Sequence, residues 1–187
     1  MDAFSYLSVL IAIILGLAIT QILQGFRGLL HARERVAIYW PSLVWACLVL
    51  IVAVQSWWAM FGLRQVRDWT FLAFAVVLME NIGIYMLAAL VFPDFAEDRR
   101  ADLHGTYFRQ ARWFYAILAV ALVFSMLKDL VVFGGFPTGW NLAFHLFVIA
   151  GSLAAAFIRS ETFHKAYTVF SAALFLTYIG ALFDYLH

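Results

Sequence analysis

The segment WTFLAFAVVLMENIGIYMLAALVF, residues 69–92, is almost entirely apolar and carries an acid, Glu80, and an amide, Asn81, near its centre. About 20 helical residues rise roughly 30 Å, which is the thickness of the hydrocarbon core of a bilayer. We therefore predict a membrane-spanning helix here. An ionisable group at that depth costs at least ~2.5–3.5 kcal/mol, so Glu80 should face protein or water, and it indicates a functional site.

The composition of the whole chain is typical of integral membrane proteins. Of the 187 residues, 66% are hydrophobic and 12% are charged, and the mean hydropathy is +0.93. Soluble domains are about 45–50% apolar and about 25% charged. The net charge of +1 and the scattered basic residues predict no nucleic-acid partner. The single cysteine, Cys47, excludes a disulfide within one chain.

Six apolar segments predict an all-α, polytopic membrane protein of six transmembrane helices, in one domain over residues 1–187. The first segment lacks the basic start and cleavage site of a signal peptide, so we expect it to stay attached. Its small residues Ala12, Gly16 and Thr20 recur every fourth position and predict a face that packs against another helix. The predicted spans cover residues 4–25, 38–62, 69–92, 113–133, 140–158 and 167–185.

The basic residues predict the orientation of these helices. The positive-inside rule makes the side with more Lys and Arg cytoplasmic, so both termini are expected outside. Paired and single tryptophans fall at the predicted interfaces, where indole rings are favoured. The cytoplasmic side would hold Arg27, Arg33, Arg35, Arg99, Arg100, Arg109, Arg112, Arg159 and Lys165, and the other side Arg64, Arg67 and Lys128.

Polar side chains of several spans fall in the outer half of the membrane in this topology. At ~1.5 Å per residue, Lys128 lies roughly 8 Å below the outer surface, and His145 reaches a similar depth. Asn141 and His145 are four residues apart and share a helix face. We therefore predict a polar cavity open to the outside that tapers towards the midplane. Its predicted lining residues are Glu80, Asn81, Gln55, Lys128, Asp129, His145, Asn141 and Tyr178.

Several of these residues also have a purely structural interpretation. Lys128 could extend to the outer headgroups, and Asp129 is expected to pair with Lys128 or His145. Glu80 could be a protonated carboxyl in a dry core, bonded to a nearby amide such as Asn81, because burial raises the pKa of a carboxyl.

Motifs for catalysis or cofactor binding are missing from the sequence. There is no Gly-rich phosphate loop, no H-E-x-x-H and no nucleophile elbow. Two histidines at one level are needed for a bis-histidine haem, but His145 is predicted near the outside and His164 near the inside. The acidic and basic loop at residues 93–106 predicts a solvated surface. We expect no cofactor and no bound metal.

Several short motifs along the chain form a pattern that resembles other proteins. It consists of LGLAITQILQG at residues 15–25, YWP at 39–41, the cluster of Gln55 with Trp57 and Trp58, FPD at 92–94, YFR at 107–109 and RWF at 112–114. Together these resemble an uncharacterised family of small bacterial multi-span inner-membrane proteins, over about the first two thirds of the chain. The resemblance implies a bacterial source and a cytoplasmic-membrane location, with no activity to transfer.

Three classes of function remain open from the sequence. The leading interpretation is a channel or transporter for a small solute or ion, with proton coupling as one option, working as a homo-oligomer in the lipid bilayer. The second is a non-transporting scaffold or small-ligand sensor subunit that acts through a partner protein. The third is a membrane enzyme that acts on a lipid or quinone.

Overall fold

A computed structural model describes residues 3–66, 68–95 and 101–182 of the chain. The all-α prediction is confirmed for these residues, which form six α-helices and little else. The helices are α1 (Ala3–His31), α2 (Trp40–Ala59), α3 (Phe71–Leu90), α4 (Leu103–Phe133), α5 (Gly139–Phe157) and α6 (Glu161–Leu182), and a 3₁₀ helix, Met60–Gln65, continues α2.

Length and hydropathy identify the membrane helices among the described residues. Five helices are long and apolar enough to cross a bilayer: α1, α2 with its 3₁₀ continuation, α3, α4 and α5. The described part of α6 is not among them, and it opens with the polar residues Glu161, His164 and Lys165. Large apolar side chains are exposed around the bundle, including Leu17, Leu72 and Phe147, as expected for a surface that meets lipid. The chain is a multi-pass membrane protein.

Local sequence explains where several helices begin and end. The Thr70 hydroxyl accepts a hydrogen bond from the Ala73 amide at 3.1 Å and so caps α3. Pro41 occupies the first turn of α2, where its missing amide hydrogen is not needed. Gly134 ends α4 in the left-handed region at φ +75°, which glycine adopts without a steric penalty.

Two helices extend well beyond the predicted spans. α1 continues to His31, where the sequence predicted an end near residue 25, and α4 begins at Leu103 rather than near residue 113. The added turns carry charged residues such as Arg27 and Arg109. Arginine is a good helix former, whereas hydropathy detects only the apolar part of a helix.

The face of α1 that packs is not the one that the small residues predicted. Ala12, Gly16 and Thr20 are exposed, and a Cβ at Gly16 would meet no atom within 4 Å. The prediction that this face packs against another helix is therefore wrong within the single chain. The buried face consists of larger residues, namely Ile11, Leu15, Ala18, Ile22 and Gly25.

Three connections lie at the same end of the bundle. A short parallel pairing joins β1 (Val36–Ala37), which precedes α2, to β2 (Ala101–Asp102), which precedes α4. His104 at the start of α4 lies 3.7 Å from Glu161 at the start of α6. We call this the basic end, because eight of the ten arginines of the sequence fall in its connections or in the adjoining turns of α1 and α4. The last turns of α2 and α4 and the first turns of α3 and α5 lie at the opposite end.

Candidate functional site: a polar cavity within the bundle

A cavity of about 190 Å³ lies among α2, α3, α4, α5 and α6, towards the end of the bundle opposite the basic end. This volume exceeds the roughly 15 Å³ that one water molecule needs. The structure brings all eight predicted side chains to its wall, although their role in transport stays a prediction. The polar lining residues are Gln55, Ser56, Glu80, Asn81, Ser125, Lys128, Asp129, Asn141, His145 and Tyr178.

An ion pair crosses the cavity wall between α3 and α4. The Lys128 Nζ atom donates to Glu80 Oε1 at 2.8 Å, and the two side chains are 21% and 12% exposed. The alternative in which Lys128 extends to the headgroups is therefore wrong. The alternative in which the Glu80 carboxyl bonds to a nearby amide is also wrong, because its partner is the Lys128 ammonium. The reason is the close approach of the two helices, since Gly83 of α3 packs directly against Ala121 of α4.

Asn81 lines the cavity and carries an unpaired acceptor that is itself buried. Its side chain is buried, and its Nδ2 atom donates to the Val77 carbonyl one turn earlier at 2.7 Å. Its Oδ1 atom has no hydrogen-bond partner in the described part of the chain. Five buried side-chain atoms of the described residues have no hydrogen-bond partner. Asn81 is the one residue among those five that lines this cavity. Leaving such a group unpaired costs about 1–3 kcal/mol.

His145 and Tyr178 are both held by Asn141. The Asn141 main-chain carbonyl can only accept, so the His145 Nδ1–H donates to it at 2.8 Å. The other ring nitrogen, Nε2, is then an acceptor in the neutral imidazole. The Tyr178 hydroxyl donates to Asn141 Oδ1 at 3.0 Å, and its ring stacks on Phe144 with centroids 3.9 Å apart. These contacts fix the orientation of both rings.

Asp129 lines the same cavity and forms neither a hydrogen bond nor an ion pair with its two predicted partners, Lys128 and His145. Both partners are close enough to interact electrostatically with its carboxyl group. A direct ion pair with Lys128 does not form because the Lys128 ammonium turns to Glu80 on the neighbouring helix.

An aromatic layer separates the cavity from the basic end. Trp45 lines the cavity and is only 2% exposed, with its ring edge-on to Phe114 and Tyr115 at centroid distances of 5.3 and 5.5 Å. Its Nε1–H donates to the Thr168 hydroxyl at 3.1 Å. We call Trp45, Phe114 and Tyr115 the aromatic barrier.

Behind this barrier lies a buried hydrogen-bonded chain that the sequence did not predict. The His164 Nε2–H donates to the Ile158 carbonyl at 2.8 Å, which leaves Nδ1 to accept from the Tyr107 hydroxyl at 3.0 Å. Tyr107 in turn accepts from the Tyr115 hydroxyl. The sequence signal that could have indicated this chain is the spacing of Tyr107 and Tyr115, which are eight residues apart on one helix. Their histidine partner, His164, could not be found in this way because it lies 57 residues from Tyr107.

The basic end shows an exposed ion-pair group and no assembled metal site among the described residues. Lys165 lies 2.7 Å from Glu161 and, with a smaller effect from His104, holds the pKa of the Glu161 carboxyl below its usual range. No group of three metal-binding side chains occurs in the described ranges. The loop residues Glu97 and Asp98 lie outside the described residues, as does Tyr185.

Fold and cavity together define a class: a multi-pass helical membrane protein with a polar site inside its bundle. Comparison of the chain with protein-family models, curated proteins and solved structures finds no match among any of them. The resemblance to bacterial inner-membrane proteins therefore stays an expectation, and the function has to be argued from the chemistry of the site.

Proposed function

We propose that the protein is a channel or transporter that moves a small solute or ion through this cavity, across the cytoplasmic membrane of a bacterium. The observation that carries the proposal is the convergence of polar side chains from five helices on one internal space. Ionisable groups inside membrane helices are costly and usually mark pathways for ions or substrates.

Unpaired groups on the wall favour this function over a purely structural role. A polar cluster that only holds helices together normally satisfies its members, since a partly satisfied network is costly. Here the Asp129 carboxylate lines the cavity and accepts no hydrogen bond within the described residues. A cavity that admits water or cargo supplies a donor for it.

The proposed topology has six spans with both termini outside. The basic connections share one end of the bundle, which supports a cytoplasmic position for that end under the positive-inside rule. α6 is counted as the sixth span because it runs for 22 residues beside α2 and α5. The cavity then opens towards the outside, and the aromatic barrier closes it towards the cytoplasm, as alternating access requires.

The proposal includes self-association within the bilayer. One small bundle offers limited room for a private pathway, and the exposed small residues Ala12, Gly16 and Thr20 of α1 would let a second copy approach closely. We expect the rest of the surface to contact lipid. We propose no nucleic-acid partner, because a net charge of +1 gives little attraction to phosphates.

The test is a flux measurement on purified protein in liposomes loaded with a pH or ion indicator. Wild-type protein should carry flux of at least one member of a solute and ion panel, and Glu80→Gln should abolish it. Glu34→Gln is the matched control, because Glu34 is exposed at the basic end. Equal flux in Glu80→Gln and wild type would contradict the proposed pathway. A wild-type protein that carries nothing would favour a scaffold or sensor subunit.

A further inference from the structure

Building on the proposed function, we infer that the cavity binds a small cation that carries N–H donors, of the ammonium or primary alkylammonium class. The evidence consists of the charge of the wall, the balance of donors and acceptors, and the size of the space.

The charged groups of the wall favour a cation. Glu80 and Asp129 contribute two carboxylates and Lys128 one ammonium group. The Lys128 ammonium pairs with Glu80 at 2.8 Å, and Asp129 forms no ion pair among the described residues. Two carboxylates and one ammonium group leave the ionised wall with a net negative charge, and in a low-dielectric site such a charge attracts a cation strongly.

The wall offers a second acceptor beside the Asp129 carboxylate. Neither that carboxylate nor the His145 Nε2 atom receives a hydrogen bond from the described residues. The nearby Tyr178 hydroxyl and His145 Nδ1–H both donate to Asn141 instead. A ligand that pairs with the carboxylate and with the imidazole nitrogen must itself donate hydrogen bonds.

The remaining wall distinguishes an ammonium ion from a metal cation. Hard cations such as Mg²⁺ and Ca²⁺ need six or more oxygen ligands, whereas an imidazole nitrogen and an amide oxygen both accept from N–H. The aromatic residues Phe144, Phe175 and Tyr178 line the same space. Aromatic rings attract ammonium groups at close range.

The volume of the cavity limits the size of the ligand. At about 190 Å³ it is smaller than the roughly 300–1,000 Å³ of sites for drug-sized molecules. Ammonium, methylammonium and ethylammonium fit such a space, and long polyamines do not.

The experiment measures binding to the full chain in detergent by isothermal titration and by thermal shift. Methylammonium chloride should bind saturably and raise the Tm. Tetramethylammonium chloride, which has no N–H donor, potassium chloride and sodium acetate should not do so at equal ionic strength. Asp129→Asn and His145→Phe should each weaken methylammonium binding about tenfold or more, since a hydrogen bond to a charged group contributes about 1.5–3 kcal/mol.

Controls separate this inference from loss of folding and from the proposed function. Asp94→Asn is the matched acid-to-amide control, because Asp94 is exposed at the basic end. The Tm of Asp129→Asn and of His145→Phe without ligand, compared with that of wild type, separates loss of the site from loss of folding. Preferential binding of acetate, or equal binding of tetramethylammonium or potassium, would overturn the inferred ligand class while leaving the flux result intact. Methylammonium binding without any flux would support the site and refute transport.

Discussion

Glu80 and Lys128 show how a membrane helix can keep an acid near its middle. Each charge loses hydration on burial, and the attraction between the two recovers this only when the geometry is good. The 2.8 Å contact provides that geometry, while partial exposure of both side chains to the cavity reduces the desolvation cost. A well-packed apolar pair would be at least as stable in such a position, so retention of the charges is explained better by function than by stability.

Removing one partner of this pair should therefore be worse for stability than removing both. Glu80→Gln leaves the Lys128 ammonium uncompensated and should lower the free energy of unfolding by up to about 3 kcal/mol. Adding Lys128→Met should restore most of that loss but not the flux. Thermal unfolding in detergent, analysed as a double-mutant cycle, measures the coupling. Additive effects of the two changes would show that the pair does not interact.

At the level of helices, α1 and α3 are joined by a short glycine and phenylalanine contact near the basic end. Gly25 and Gly28 of α1 face Phe92 and Phe95, and a Cβ on either glycine would overlap the facing ring. Pro93 follows the end of α3 and cannot continue a helix easily. The contact positions α3, and with it Glu80, relative to the rest of the bundle.

Gly25→Ala should consequently destabilise the protein even though alanine is the better helix former. The added methyl group must displace the Phe92 ring in a packed contact, which costs about 1–3 kcal/mol. Gly180→Ala in α6 is the control, because nothing lies within 4 Å of its Cβ position. It should be neutral or stabilising by up to about 1 kcal/mol. Equal Tm values for the two variants would mean that α1 and α3 do not pack as described.

Across the molecule as a whole, the polar cavity and the aromatic barrier follow each other along the bundle. The cavity lies towards one end, and the barrier of Trp45, Phe114 and Tyr115 separates it from the hydrogen-bonded chain at His164. The proposed transport would require that barrier to open, which makes Trp45 the side chain to change.

Trp45→Ala should raise passive leak of the transported solute several-fold, because it removes the indole that closes the cavity. Trp45→Phe keeps an aromatic ring, loses only the hydrogen bond to Thr168 and should leak close to the wild-type rate. Flux into liposomes without a driving gradient is the readout. Since truncating a buried tryptophan costs about 3–5 kcal/mol, gel filtration and a Trp45→Leu variant check folding. Unchanged leak in folded Ala and Leu variants would place the barrier elsewhere.

Hydropathy and helix rise were sufficient to predict the helical class and the approximate helices. Both quantities depend on residues close together in the chain, and a residue's position along its helix follows from its distance to the helix end. For this reason Gln55, Glu80, His145 and Tyr178 could be predicted to line one cavity before any contact was known.

Which side chains pair across helices, however, depends on helix rotation and separation, which local sequence does not encode. Lys128 is adjacent to Asp129 yet binds Glu80, 48 residues away, because Gly83 brings α3 against α4. Helix rotation and separation also decide which face of α1 is buried. They likewise bring Tyr115, Tyr107 and His164 into one hydrogen-bonded chain. Membrane insertion and helix formation follow from composition and spacing along the chain, whereas the cavity and its unpaired acceptors exist only once five helices pack with particular faces inward.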